Sequence, residues 1–274
     1  MGDLIVREYG IGTEPVIALH GGPAAAGDVA PLARELGKQW HVLEPFQRGS
    51  GGCPLSVATH VQDLHDLIEE RCSGGRPVLV GHSWGAVLAL AYAAQHPTVS
   101  AGLILIGCGT FSVAARKAFE ARLEARLTPR DRAYMADLKR TEASADRRLA
   151  AEGRLMMRVY GHDVEEVVEE IAAVDAAAHQ QTWADMVRLQ RDGTYPAAFA
   201  AISVPVLMLH GEQDPHPGRL ISQDLRAYIP HLEYQELPRC GHSPWLERQA
   251  KRAFFDTLTA WLEARFRPVF HGAG

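Results

Sequence analysis

The chain has 274 residues, 47% of them apolar, and a net charge of −5. That suits one large α/β domain, or a core carrying an insertion. Scattered Lys and Arg argue against a nucleic-acid or anionic-membrane surface, and no apolar run approaches the length of about 18 residues that a membrane-spanning helix needs.

In chain order, Leu4–Tyr9 reads as a first strand and Val16–Leu19 as a second, which runs into His20-Gly21-Gly22-Pro23. Open α/β sheets place ligands at such strand ends. A helix over 28–38 follows, with Asp28 as N-cap. Trp40–Glu44 is a strand, Gln47–Gly52 a loop, and Ser56–Cys72 a helix with Val57, Val61, Leu64, Leu67 and Ile68 on one stripe.

Arg76–Val80 reads as a buried strand and Ala86–His96 as a helix stopped by Pro97. Between them stands Gly81-His82-Ser83-Trp84-Gly85, a strand turning into a helix with a serine at its apex. Neighbouring backbones come close in so tight a turn, so glycine is favoured two positions either side. The turn lifts the Ser83 hydroxyl out of the sheet and puts the Trp84 N–H at a helix N-terminus, as in a nucleophile elbow.

After a strand over 102–106 the alternation stops. Residues 110–201 pattern as helices, over 119–127, 129–139, 163–174 and 179–189, and form a helical cap inserted into a core of residues 1–109 and 202–274. Val204–Leu209 resumes the sheet and enters Gly211-Glu212-Gln213-Asp214-Pro215. A helix over 218–228, a strand over 232–237, the loop Arg239–Pro244 and a long helix over 245–266 close the chain, with Pro244 suited to the helix start. The expected architecture is a mostly parallel twisted sheet with helices on both faces.

A serine hydroxyl needs a base, and the base needs a carboxylate to hold its tautomer. Asp214 and His242 follow strands, on the edge that carries Ser83. The order Ser, Asp, His is that of the elbow fold. Glu212 and Glu236 are rival carboxylates, and His20, His82, His210 and His216 rival bases; His20 and His82 read as structural hydrogen-bonders. Cys240 lacks anything to activate it as a nucleophile. Cys53, Cys72, Cys108 and Cys240 show no C-x-x-C spacing, so reduced thiols and a cytoplasmic location are expected. Met1-Gly2-Asp3-Leu4 reads as neither a secretory leader nor a myristoylation site. Thirteen His residues include no H-E-x-x-H. His60, Asp63, His65 and Asp66 read as a solvated helix face rather than a metal site.

Taken together, His20-Gly21-Gly22-Pro23, Gln47-Arg48-Gly49-Ser50-Gly51, the elbow, Gly211–Asp214 and Cys240-Gly241-His242-Ser243 resemble the α/β-hydrolase superfamily, and within it the proline iminopeptidase-like branch. The resemblance covers about residues 4–109 and 202–266. It implies Ser83 as nucleophile, His242 as base then acid, Asp214 as orienter of His242, and the N–H groups of Gly22 and Trp84 as oxyanion hole. No cofactor or metal is implied. Two departures bear on substrate: Ala24 stands where that branch has a further glycine, and Phe46 where it has Asp before Gln-Arg-Gly.

The resulting expectation is a serine hydrolase acting on a small ester or amide, an N-terminal aminoacyl bond being one form, through an acyl-serine. A carbon–carbon bond or lactone hydrolase with the same triad remains open, as does a non-enzymatic ligand receptor. Expected partners are a small-molecule or short-peptide substrate, not nucleic acid or membrane; oligomeric state is open. Glu165, Glu166, Glu169 and Glu170 could hold a substrate amine, but read better as a solvated face. Trp183 and Phe111 could wall a pocket or pack the cap. No specificity residue is assigned.

Overall fold

The computed structural model describes residues 4–51, 54–72, 74–165, 172 and 174–266. Seven strands form one sheet: β1 (Val6–Tyr9), β2 (Pro15–Leu19), β3 (His41–Pro45), β4 (Val78–His82), β5 (Gly102–Ile106), β6 (Val206–Gly211) and β7 (Glu233–Leu237), in the order β1-β3-β2-β4-β5-β6-β7. β1 runs antiparallel to β3, and every other pair is parallel. The ends of β2, β4, β6 and β7 therefore open on one edge.

Alternation along the central strands divides the core. Ile17, Leu19, Leu79, Leu103, Leu105, Val206 and Met208 pack on one face, with α2 (Val57–Arg71) and α3 (Trp84–Gln95). Val16, Ala18, Val78, Val80, Ile104, Ile106, Leu207 and Leu209 pack on the other, with α1 (Ala30–Leu36) and α10 (Lys251–Arg265). Such strands, buried on both faces, read as continuous apolar runs. α9 (Gly218–Arg226) joins the first face through Ile221 and Leu225.

Between β5 and β6 lie α4 (Val113–Arg126), α5 (Pro129–Thr141), α6 (Ala145–Tyr160), α7 (Ala176–Arg191), the short α8 (Thr194–Ala197) and a 3₁₀ turn (Ala198–Ala201). Ser112, Thr128, Ser144 and Asp175 cap α4 to α7, each accepting a backbone N–H of the first turn.

Several elements differ from the sequence expectation. α6 was not anticipated: its buried residues are Ala151, Leu155 and Val159, one row at four-residue spacing. The helix expected over 163–174 lies largely outside the described residues. At its start, Val164 bridges to Glu247 and Glu165 N–H donates to the Leu246 carbonyl (2.7 Å), which is strand-like pairing. The closing helix begins at Lys251 rather than 245, after a 3₁₀ turn over Pro244–Leu246. Glu247 turns inward instead, and accepts the N–H groups of Gly241 (2.9 Å), His162 (2.8 Å) and Asp163 (2.7 Å) on a fully buried carboxylate.

Asp28 caps no helix. α1 starts after Val29, and Asp28 binds Gly21 N–H and His82 instead. The 60–66 face is not solvated throughout: His60 meets Thr182 (2.9 Å) and Asp63 pairs with Arg48, both buried against other elements. Cys72, Cys108 and Cys240 are free and buried, and Cys53 lies outside the described residues. No helix among the described residues is long and apolar enough to cross a membrane.

Candidate active site

Ser83 sits between β4 and α3 with φ 53° and ψ −114°. A side-chain-bearing residue there is strained by roughly 1–3 kcal/mol. The flanking glycines are steric requirements. A Cβ at Gly81 would collide with the Gly85 carbonyl, and one at Gly85 with the Leu19 carbonyl. The elbow is thus pressed against the end of β2, where the His20–Pro23 loop begins. A Cβ at Gly21 would lie 3.3 Å from that of Ser83. Asp28 holds this loop through Gly21 N–H (3.2 Å) and reaches His82 Nδ1 (3.1 Å). His82 Nε2 in turn lies 3.3 Å from the His242 carbonyl. His20 Nδ1 lies 2.9 Å from the Gly21 carbonyl, and its Nε2 accepts Gln47 N–H (3.1 Å). Both histidines are tied into the frame of the loop.

Gly22 N–H and Trp84 N–H, the expected oxyanion-hole donors, make no hydrogen bond among the described residues. Trp84 is the first residue of α3, where the dipole favours negative charge. Its indole N–H donates to Gln47 Oε1 (2.7 Å), tying the Gln47–Gly51 loop to the elbow.

His242 and Asp214 meet at the ends of β7 and β6. His242 Nδ1–H donates to Asp214 Oδ2 at 2.7 Å, which leaves Nε2 with a lone pair. Gly107, with φ 55°, lets β5 end close beneath the ring; a Cβ there would come 2.9 Å from His242 Nδ1. Burial pulls His242 down from 6.5 to about 4, against the opposing pull of Asp214. Burial alone would raise Asp214, but the imidazoles of His242, His216 and His210 hold it well below its ordinary value. His216 Nδ1–H donates to Oδ1 (3.0 Å), and His210 Nε2 lies 3.2 Å from Oδ2. Asp214 is a buried carboxylate with an imidazole on three sides.

The rival groups have other employment. Glu212 accepts the Arg239 N–H (3.4 Å), and Glu236 pairs with Arg219. The Cys240 thiol is buried and its pKa pushed up by desolvation, so it stays protonated and inert. The Ser83 hydroxyl has no hydrogen-bond partner among the described residues.

The intervening helices contribute groups that the sequence did not single out. Tyr160, ending α6, packs edge-on against His242, with centroids 5.3 Å apart, and its carbonyl accepts His242 N–H (3.1 Å). Phe119 of α4 stacks on His216 at 4.3 Å. Arg126 caps the carbonyls of Val159, Gly161 and Gln213. Glu165 pairs with Lys251 (3.0 Å), while Glu166, Glu169 and Glu170 lie outside the described residues. Phe111 is buried against Phe199, and Trp183 is partly exposed. Only the Asp214-Pro215-His216 spacing could have hinted at the second imidazole. Among the described residues, one group has metal-ligand spacing, Asp214, His216 and His242, with ligand atoms within 4.8 Å of one another. Its shortest contacts are those of N–H donors on an ionised carboxylate.

The alpha/beta hydrolase family model matches residues 16–257. The chain belongs to the alpha/beta hydrolase family. Within it, a proline iminopeptidase of Levilactobacillus brevis is 24% identical over 91% of this chain and 88% of its own length. A probable proline iminopeptidase of Leptolyngbya boryana is 32% identical, over 34% of this chain and 31% of its own length, so that match spans about a third of the relative. A thermophilic esterase from Thermogutta terrifontis superposes with a TM-score of 0.64 at 21% identity, covering 95% of this chain and 93% of the esterase. An E-2-(acetamidomethylene)succinate hydrolase gives 0.65 at 20%, covering 95% of each chain. These two establish likeness of fold to other alpha/beta hydrolases.

Proposed function

We propose that this alpha/beta hydrolase is a serine hydrolase that cleaves a small ester or amide through an acyl-serine intermediate. The observation that carries the reading is the 2.7 Å bond from His242 to a buried, ionised Asp214, on the sheet edge that carries a strained Ser83. Ser83 Oγ attacks the scissile carbonyl carbon as His242 Nε2 takes its proton. The carbonyl oxygen becomes an oxyanion between the N–H groups of Gly22 and Trp84, a stabilisation worth about 3–4 kcal/mol per donor in comparable sites. The imidazolium then protonates the leaving group. Water, deprotonated by His242, releases the acyl group and restores the hydroxyl. Asp214 stays ionised throughout and fixes the tautomer.

Residues 110–201 act in this reading as a cap over the strand ends of a core formed by 1–109 and 202–274. The contacts of Phe119, Arg126 and Tyr160 with the Asp214 and His242 loops support that division. A second reading, cleavage of an N-terminal aminoacyl bond, is favoured by the relatives described as proline iminopeptidases. A panel of 4-nitrophenyl esters, aminoacyl arylamides and lactones tests both. Turnover of short esters is expected. Turnover of aminoacyl arylamides alone would select the second reading, and saturable binding without turnover of any member would contradict both.

A further inference from the structure

The helices between β5 and β6 are rich in arginine, and most of those side chains are accounted for. Arg126 spends its fork on three carbonyls, Arg158 pairs with Asp131, and Arg188 with Asp185 and Asp192. Arg122 and Arg154 are exposed, and water suffices for them. Arg116 fits neither group. It is half-buried on α4, and no carboxylate pairs with it among the described residues. Its hydrogen bond runs to a neutral amide, Gln190 Oε1 (3.2 Å), and its guanidinium lies 5.5 Å from the centre of the Trp183 ring. Glu120, one turn along the helix, is exposed and acts on it only at longer range.

A guanidinium withdrawn from water without an anion is costly, and most of its five donors remain unspent. Its place in the fold says where they are available. Arg116 and Phe119 share a helix face, three residues or about 4.5 Å of rise apart. Phe119 stacks on His216, which stacks on His242. Tyr160 lies within electrostatic range of Arg116, and its ring packs against His242. The cation thus shares a face of α4 with the ring that covers the His216–His242 stack, and lies against Trp183 of α7.

We propose that Arg116 is a specificity residue that receives a carboxylate on the substrate, so that the preferred ester or amide is an acid bearing a second, ionised carboxyl group a short chain away from the scissile carbonyl. The proposal rests on the serine hydrolase reading above. A planar fork suits a bidentate carboxylate, and an anion would relieve the desolvated cation. A substrate ammonium group would instead meet like charge, so the same residue weighs against the aminoacyl reading.

The test compares substrates that differ by one carboxylate, with the purified protein: mono-4-nitrophenyl glutarate against 4-nitrophenyl pentanoate for a carboxylate on the acyl side, and 4-acetoxybenzoate against phenyl acetate for one on the leaving side. In one of the pairs the carboxylate member should have the higher kcat/KM by about 10–100-fold, the worth of a charge-assisted bond. In Arg116→Gln that ratio should fall towards one through KM, and Arg116→Lys should restore part of it. A Ser83→Ala variant supplies a readout without turnover: calorimetric binding of the preferred acid should weaken when Arg116→Gln is added. Esters turned over with no preference in either pair, or a preference that survives Arg116→Gln, overturn the Arg116 assignment and leave the serine hydrolase reading intact. Acid-dependent binding to Ser83→Ala without turnover by the parent protein supports Arg116 and overturns the hydrolase reading instead.

Discussion

His216 lies nearly parallel to His242, with ring centroids 4.8 Å apart and 22° between the planes, and both donate their Nδ1–H to the one carboxylate of Asp214. The buried carboxylate of Asp214 is thus shared by two imidazoles. Phe119 stacks on His216, so a residue of α4 presses on the pair of groups that holds the His242 ring. His216→Phe keeps a ring in the stack and removes one donor. It should lower kcat by about 10-fold, the scale of one hydrogen bond to a charge. It should also move the acid limb of kcat/KM upward, because His216 is among the groups that hold His242 down. A kcat loss with an unmoved limb would make His216 purely structural.

The pH profile follows from the same burial. His242 works as a base only when neutral. Its value is depressed from 6.5 to about 4, so it remains neutral on lowering the pH until about 4 is reached. The kcat/KM of the free enzyme should therefore stay level from pH 7 to about 5 and fall below that with unit slope. Initial rates after a pH jump, with residual activity checked at pH 7, separate titration from unfolding. A limb at 6.5 or higher would contradict the buried, neutral imidazole.

Asp214→Asn should keep the fold and lower kcat by about 10⁴-fold, since the amide N–H can donate to Nδ1 and favour the tautomer that carries its proton on Nε2. Combined with His216→Phe, the losses should fall short of multiplying, because both act on one carboxylate. Kinetics of the two single variants and the double variant give the coupling directly.

Glu247 carries a prediction about stability. Its buried carboxylate holds the N–H groups of Gly241, His162 and Asp163, and so clamps the end of the intervening helices to the loop of His242. Glu247→Ala leaves three donors without a partner and should cost about 3 kcal/mol or more. Glu247→Gln retains one acceptor oxygen and should cost less. Denaturant midpoints of both variants, with unchanged slopes, measure this; equal midpoints for parent and Ala variant would refute the clamp.

The elbow and the central strands were legible in the sequence because each is forced locally. The elbow needs glycine at 81 and 85 for lack of space, and the central strands announce themselves as apolar runs buried on both faces. The helical segment was harder to read. α4 buries little beyond Ala115, so amphipathic periodicity had little to register there. The closing helix was misjudged at its start because Glu247, a good helix former by propensity, is turned inward by three backbone donors that come from elsewhere in the chain. Asp28 looked like a cap because its partners, Gly21 and His82, are neighbours only after folding. Arg116 gains its significance from what surrounds it in space, which no spacing along the chain encodes.

The central claim is that Ser83 is the nucleophile activated by His242. Fluorophosphonate labelling of the native protein, followed by mass mapping, tests it most directly. The account predicts one adduct per chain, on the peptide carrying Ser83, and its loss in both Ser83→Ala and His242→Ala. An adduct on any other residue, or undiminished labelling of a folded Ser83→Ala variant, would contradict it.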